Sequence, residues 1–164
     1  MPRYVQQRDT FRCGPFAILN ALKWAGSNAT AQLLPGLCKE LGCLSRDNNG
    51  TYGSDLHQGL LKMGKESFTV RRDTNTSLVK IEKRLRAGMA VIVSFAYDDK
   101  EGKRIAHYAL IVGVSKTGKT FYGVNYFVKE KQPAKISRQR FRNDLRPRIF
   151  SGSLCPAAWY LELK

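Results

Sequence analysis

An α+β fold, with helices packed on one side of a mostly antiparallel sheet, is what this sequence predicts, and three observations carry it. Apolar residues recur at helical spacing in the first half of the chain, while the second half carries β-rich apolar runs broken by turn-forming residues. The composition, 43% hydrophobic and 25% charged over 164 residues, is that of a chain able to bury one core. Residues 1–164 are therefore expected to form a single domain. Disorder throughout is excluded by the same composition, and no repeat or Pro/Gly/Ser-rich tract marks an internal boundary.

The first element opens at Cys13-Gly14-Pro15. Proline suits a first helical turn, and Phe16, Leu19, Ala21, Leu22 and Trp24 cover a wide helical face before Gly26 stops it. A second helical pattern, residues 30–41, is offset at Pro35. A third runs from Ser54, a good N-cap, to Met63, with Gly64 behind it. Ser77 caps a fourth, with Leu78, Ile81 and Leu85 at helical spacing and Gly88 at its end. Directly after it, Met89-Ala90-Val91-Ile92-Val93-Ser94-Phe95 reads as a buried strand. Residues 105–114 and 119–128 are further β-rich runs around Ser115-Lys116-Thr117-Gly118, a turn composition that predicts a hairpin. Residues 158–163 supply the last strand.

The longest apolar run, residues 87–96, is about half of what a spanning helix needs, so no membrane role is expected. The first twelve residues carry Arg3, Arg8, Asp9 and Arg12 and lack the apolar stretch of a secretion signal, which predicts a cytoplasmic, reducing location and free thiols. Cys13, Cys38, Cys43 and Cys155 form no Cys-x-x-Cys pair, and His57 and His107 are the only histidines. A tetrahedral zinc site would need scattered ligands, so neither a metal nor a cofactor is expected.

The position of Cys13 points to chemistry. A sulfur at a helix start lies near backbone N–H groups that have no acceptor inside the helix, and near the positive end of the helix dipole, which favours thiolate. The bland alternative, a small apolar residue packed at a helix end, is the commonest fate of a cysteine, so a base must be found. His107 heads the apolar strand Tyr108-Ala109-Leu110-Ile111-Val112 and can reach a cleft from its rim. His57 falls next to Gln58 in an amphipathic helix, where a solvated polar face is the better reading. If Val114 pairs with Gly118 across a short turn, His107 stands opposite Asn125 with both side chains on one face, and Asn125 can orient the imidazole. Gln7, with Gln6 beside it, lies just upstream of the thiol and can donate to the oxyanion that acyl transfer through a thiolate creates.

Gln7, five residues, Cys13-Gly14-Pro15 opening an apolar helix, then His107 heading a hydrophobic strand and Asn125 in the next strand: this series resembles the papain-like cysteine peptidases. The chain is most similar to their compact branch, which includes bacteriocin-leader-processing, double-glycine-type peptidases. Gly50-Thr51-Tyr52-Gly53-Ser54-Asp55-Leu56, the helix ending in Arg86-Ala87-Gly88 before Val91-Ile92-Val93, and His107-Tyr108-Ala109-Leu110-Ile111-Val112-Gly113 match that branch in order and spacing. The resemblance covers residues 6–141. It implies a papain-like fold, Cys13 as nucleophile, His107 as general base and acid, Asn125 as the orienting residue, Gln7 as oxyanion donor, and a peptide or protein substrate. That branch usually places an aspartate where Asn125 stands, whereas papain-type enzymes use asparagine.

The same residues would serve an amide hydrolase or an acyltransferase. The alternative from another class is a non-catalytic binding module on this fold. Its support is charge, 28 Lys and Arg against 13 Asp and Glu, a net +15. Lys129, Lys131, Lys135, Arg138, Arg140, Arg142, Arg146 and Arg148 cluster in sequence near Tyr126, Phe127 and Phe141, a pattern compatible with a nucleic acid or another polyanion as partner. A solvated basic face explains the run equally well.

Overall fold

The structure is a computed structural model and describes residues 2–9, 11–42, 50–127, 131–150 and 153–164. Helix α1 (Cys13–Trp24) is buried from Cys13 through Leu22, which is why its sequence is apolar nearly all round. A 3₁₀ turn (Ala31–Leu33), capped by Thr30, leads into α2 (Leu34–Leu41) with Pro35 in its first turn, so the expected offset is a change of helix type. Helix α3 (Gly53–Met63) starts with Tyr52 as N-cap, not Ser54. Close packing requires glycine at its first position: a Cβ on Gly53 would lie 2.8 Å from the Arg72 guanidinium and 3.2 Å from the Trp159 ring.

Strand β1 (Phe68–Asp73) follows, then α4 (Leu78–Arg86), where the Ser77 hydroxyl accepts the N–H of Lys80 as expected of an N-cap. The remaining elements are β2 (Ala90–Asp98), β3 (Arg104–Val114), β4 (Thr120–Val124), β5 (Ala134–Ser137), α5 (Arg138–Asp144), β6 (Arg148–Phe150), β7 (Ser153–Cys155) and β8 (Ala157–Leu163). Six strands form one antiparallel sheet in the order β1-β8-β2-β3-β4-β5, while β6 and β7 pair as a separate hairpin.

Strand β2 is buried on both faces from Ala90 to Ala96, so both faces require cover. On one face Ala90, Ile92, Tyr108, Leu110, Trp159 and Leu161 pack with the apolar residues of α1, α2 and α3. On the other, Val91, Val93, Phe95, Ala109, Ile111 and Tyr160 pack with Ile81 and Leu85 of α4 and Phe141 of α5. The α+β class is as the sequence predicts, but the helices occupy two sides of the sheet rather than one.

The β3–β4 hairpin departs from the expected register. Val114 faces Phe121, not Gly118, because the connection is longer: the Ser115 N–H donates to the Thr120 carbonyl, and Gly118, at φ +72°, lies inside the turn. A bulge between Ile111 and Gly113 then shifts the pairing by one residue. Strand β4 ends at Val124, and Asn125 adopts a left-handed φ of +55°. His107 and Asn125 are therefore not a cross-strand pair.

Helix α5 has only seven residues and is held through Phe141, which is fully buried against the rings of Phe121 and Tyr126. Phe141→Ala is expected to lower stability by about 3–5 kcal/mol. Urea unfolding of the variant against the parent chain checks this.

Candidate active site

The segment before α1 is fixed by one carboxylate. Asp9 accepts the N–H groups of Phe11 and Arg12 at 3.2 and 2.9 Å, and the Arg12 Nε donates to it at 2.7 Å. Burial alone would raise the Asp9 carboxyl, but the bonds from Arg12 and Phe11 outweigh it and hold the group below its ordinary value. Cys13 follows as the first residue of the helix and is buried. Gly14 next to it is required by close packing, since a Cβ there would lie 2.3 Å from the Thr51 hydroxyl oxygen. The carbonyl of Thr51 in turn accepts the hydroxyl of Tyr108 at 2.8 Å. Thr51 thus spans from the start of α1 to the residue after His107.

Burial first, and then the charge of a Cys13 thiolate, push up the phenols of Tyr97 and Tyr108. Cys13 and Tyr108 belong to the same buried cluster. His107 faces Phe95 across β2 and β3, and their rings meet edge to face at 5.6 Å. Phe95 stacks on Tyr126 at 4.9 Å, and the Tyr126 hydroxyl donates to Asp144 at 2.6 Å, an oxygen that the Arg140 Nε also reaches at 2.8 Å. An aromatic wall anchored on α5 thus backs the imidazole.

His107 is 8% exposed. Its Nε2 lies 2.6 Å from the main-chain carbonyl of Asn125. A carbonyl only accepts, so Nε2 carries the proton in the neutral ring, and Nδ1 is left with the lone pair. Burial lowers the pKa of His107, and the bond to Asn125 opposes that only in part, which keeps the neutral imidazole as the resting form. The carboxamide of Asn125 points elsewhere: Oδ1 accepts the N–H of Gln7 at 2.9 Å, and Nδ2 donates to the Val5 carbonyl at 3.0 Å. The expected side-chain contact between Asn125 and His107 is replaced by a main-chain one, a consequence of the shifted hairpin and the left-handed backbone at Asn125.

Gln7 is 1% exposed. Its Nε2 donates to the Asp9 carbonyl at 2.7 Å. That contact fixes the amide orientation, because an oxygen could not face a carbonyl oxygen there, and it leaves the second Nε2 proton to another acceptor. Hydrogen bonds through Asn125 bring Gln7 and His107 together, and Asn20 of α1 extends the set by accepting the Val5 N–H at 2.7 Å and donating to the Val5 carbonyl at 3.0 Å. Sequence reasoning passed over Asn20, although a polar residue inside an otherwise apolar helix was the available signal. Thr51 lay within the matched stretch of residues 50–56 with no role given to it, and Asp9 carried no signal.

His57 stands apart on α3, half-buried, with its pKa lowered by burial and by Arg72. The basic run is divided in use. Arg138 pairs with Glu82 and caps the Gly118 carbonyl, Arg140 pairs with Asp144, and Arg148 donates to the Ala96 carbonyl at 2.7 Å. Lys131, Lys135, Arg142 and Arg146 are exposed, and Lys129, like Cys43, lies outside the described residues. Among the described residues no group of three or more His, Cys, Asp or Glu side chains could hold a metal ion, and no helix is long and apolar enough to cross a membrane.

Residues 1–143 match the model of the peptidase C39 like family. A crystal structure of a provisionally assigned C39-like peptidase from Bacillus anthracis superposes with a TM-score of 0.66 at 16% identity, covering 96% of this chain and 93% of the other. A double-glycine motif protease from an AMS/PCAT transporter, solved with its leader peptide, superposes with a TM-score of 0.63 at 14% identity, covering 100% and 93%. At such identities these two likenesses establish the fold alone. No curated protein matches, and the comparisons give no support to a nucleic-acid partner.

The buried imidazole sets a pH dependence. Because the folded pKa of His107 lies below the ordinary 6.5, the unfolded chain takes up a proton that the native ring refuses as pH falls through that value. Stability is expected to decrease from pH 7.5 to 5.5, and His107→Gln to remove part of that slope. Asp9, Asp73 and Glu82, held below ordinary carboxylate values, act at lower pH. Urea unfolding of both chains across this range provides the test.

Proposed function

The chain belongs to the peptidase C39 like family, and on that premise we propose that it is a cysteine peptidase acting through Cys13, His107, Asn125 and Gln7. The observation that carries the reading is the hydrogen-bonded set of His107, Asn125 and Gln7, next to Tyr108, which Thr51 links to the start of α1. Nδ1 of His107 takes the Cys13 proton, and the sulfur attacks the carbonyl carbon of a peptide bond. The resulting oxyanion is held by the remaining Nε2 proton of Gln7 and by first-turn N–H groups of α1. The C–N bond breaks as His107 returns the proton to the leaving nitrogen. Water then attacks the thioester, His107 again takes a proton, and the acid product leaves with the Cys13 thiol restored.

A peptide segment is the proposed substrate, in keeping with the leader peptide bound to the double-glycine protease of the same fold. An amine in place of water would turn the second half-reaction into acyl transfer with the same residues. Iodoacetamide is expected to label Cys13 ahead of Cys38, Cys43 and Cys155, and His107→Ala to remove that preference. Cys13→Ala is expected to abolish peptide cleavage, and Gln7→Ala to reduce turnover about 10²–10³-fold. Mass spectrometry of the alkylated chain and cleavage of a peptide library check these outcomes; equal labelling of all four cysteines would refute the assignment.

A further inference from the structure

We propose that Asn125 is the positioning residue of the oxyanion donor, its carboxamide setting Gln7 through the main chain of the N-terminal segment while its carbonyl alone serves His107. This rests on the roles of Cys13, His107 and Gln7 given above.

All four polar groups of Asn125 are engaged. Its N–H donates to the Gln132 side chain at 2.7 Å, its carbonyl faces His107, and its carboxamide grips alternate residues of the segment before α1, the Val5 carbonyl and the Gln7 N–H. Asn20 of α1 also holds Val5, donating to the same carbonyl and accepting the Val5 N–H. The segment bearing Gln7 is thus fastened between the nucleophile's helix and the end of β4 by two asparagines. The hydrogen bond that the Gln7 amide itself makes, to Asp9, lies within that same segment, so the segment's seating decides where the amide stands relative to Cys13.

Chemistry also dictates asparagine. An oxygen must face the Gln7 N–H and a donor must face the Val5 carbonyl, and only a carboxamide offers both. An aspartate would set a carboxylate oxygen against the Val5 carbonyl. The left-handed φ of +55° is one that asparagine and glycine adopt at little cost, so Asn125→Gly removes the carboxamide and keeps the backbone that presents the carbonyl to His107.

Two probes separate the roles. Iodoacetamide alkylates Cys13 without forming an oxyanion, whereas N-acetylglycinal adds the Cys13 S–H across its C=O, leaving the new hydroxyl oxygen at the oxyanion position. Aldehyde affinity is measured as protection from alkylation, with thermal unfolding run on every variant. Asn125→Gly and Gln7→Ala are each expected to weaken N-acetylglycinal about ten- to hundredfold, and the double variant to be no weaker than the worse single one. The alkylation pH profile of Asn125→Gly should keep the parental shape, which distinguishes it from His107→Ala. In the parent chain, the Gln7 main-chain N–H should exchange with solvent deuterium at least tenfold more slowly than an exposed amide, a measurement independent of any variant. A reshaped alkylation profile in Asn125→Gly, unchanged aldehyde affinity, multiplied losses in the double variant, or rapid exchange at Gln7 would overturn the proposal. Absence of preferential Cys13 alkylation in the parent chain would instead overturn the nucleophile assignment beneath it.

Discussion

A buried N–H that finds no acceptor costs about 1–3 kcal/mol, and the site is organised around meeting that requirement at His107. The acceptor is a main-chain carbonyl, at 2.6 Å, and a carbonyl can be aimed only by aiming its backbone. The left-handed conformation of Asn125 does this immediately after β4 ends. The aromatic rings of Phe95 and Tyr126 then exclude water from one side of the imidazole, and Asp144 on α5 holds Tyr126 in place. A short helix far along the chain thereby supports the histidine without touching it.

Much of this was legible beforehand, and the parts that were not share a cause. Cys13-Gly14-Pro15, the Ser77 cap and the apolar β2 run declare themselves through local chemistry, because helix starts and doubly buried strands impose rules on adjacent residues. Strand β1 carries Arg71, Arg72 and Asp73, and α5 is only seven residues long; neither offers enough periodicity to be seen without its partners. The β3–β4 register failed for a similar reason, since the bulge after Ile111 and the wider turn at Gly118 answer to packing and not to turn composition. That His107, Asn125 and Gln7 come together was readable, but which atom of Asn125 meets His107 was not. That choice depends on a single backbone dihedral and on a chain separation of 118 residues closing to place Gln7.

The net charge of +15 invited a surface interpretation, yet part of it is engaged in contacts within the chain. Arg138 lies over Phe121 while pairing with Glu82, Arg140 lies over Phe127 while pairing with Asp144, and Arg148 closes on the end of β2. Guanidinium groups suit such duty, because one planar group can satisfy a carboxylate and cover an aromatic face together. Charge counted along a sequence therefore overstates what is offered to a partner.

The contact of Gly14 with Thr51 has a consequence for how this chain can change over generations. A methyl group at position 14 would collide with the Thr51 side chain, and Thr51 cannot simply retreat, because its carbonyl holds Tyr108 beside His107. Neither position is free to drift alone. Because the Thr51 Cβ itself would lie 2.6 Å from that methyl group, a lineage that loses Gly14 must already have glycine at position 51, so the two sites are expected to covary and their substitutions to arrive in a fixed order.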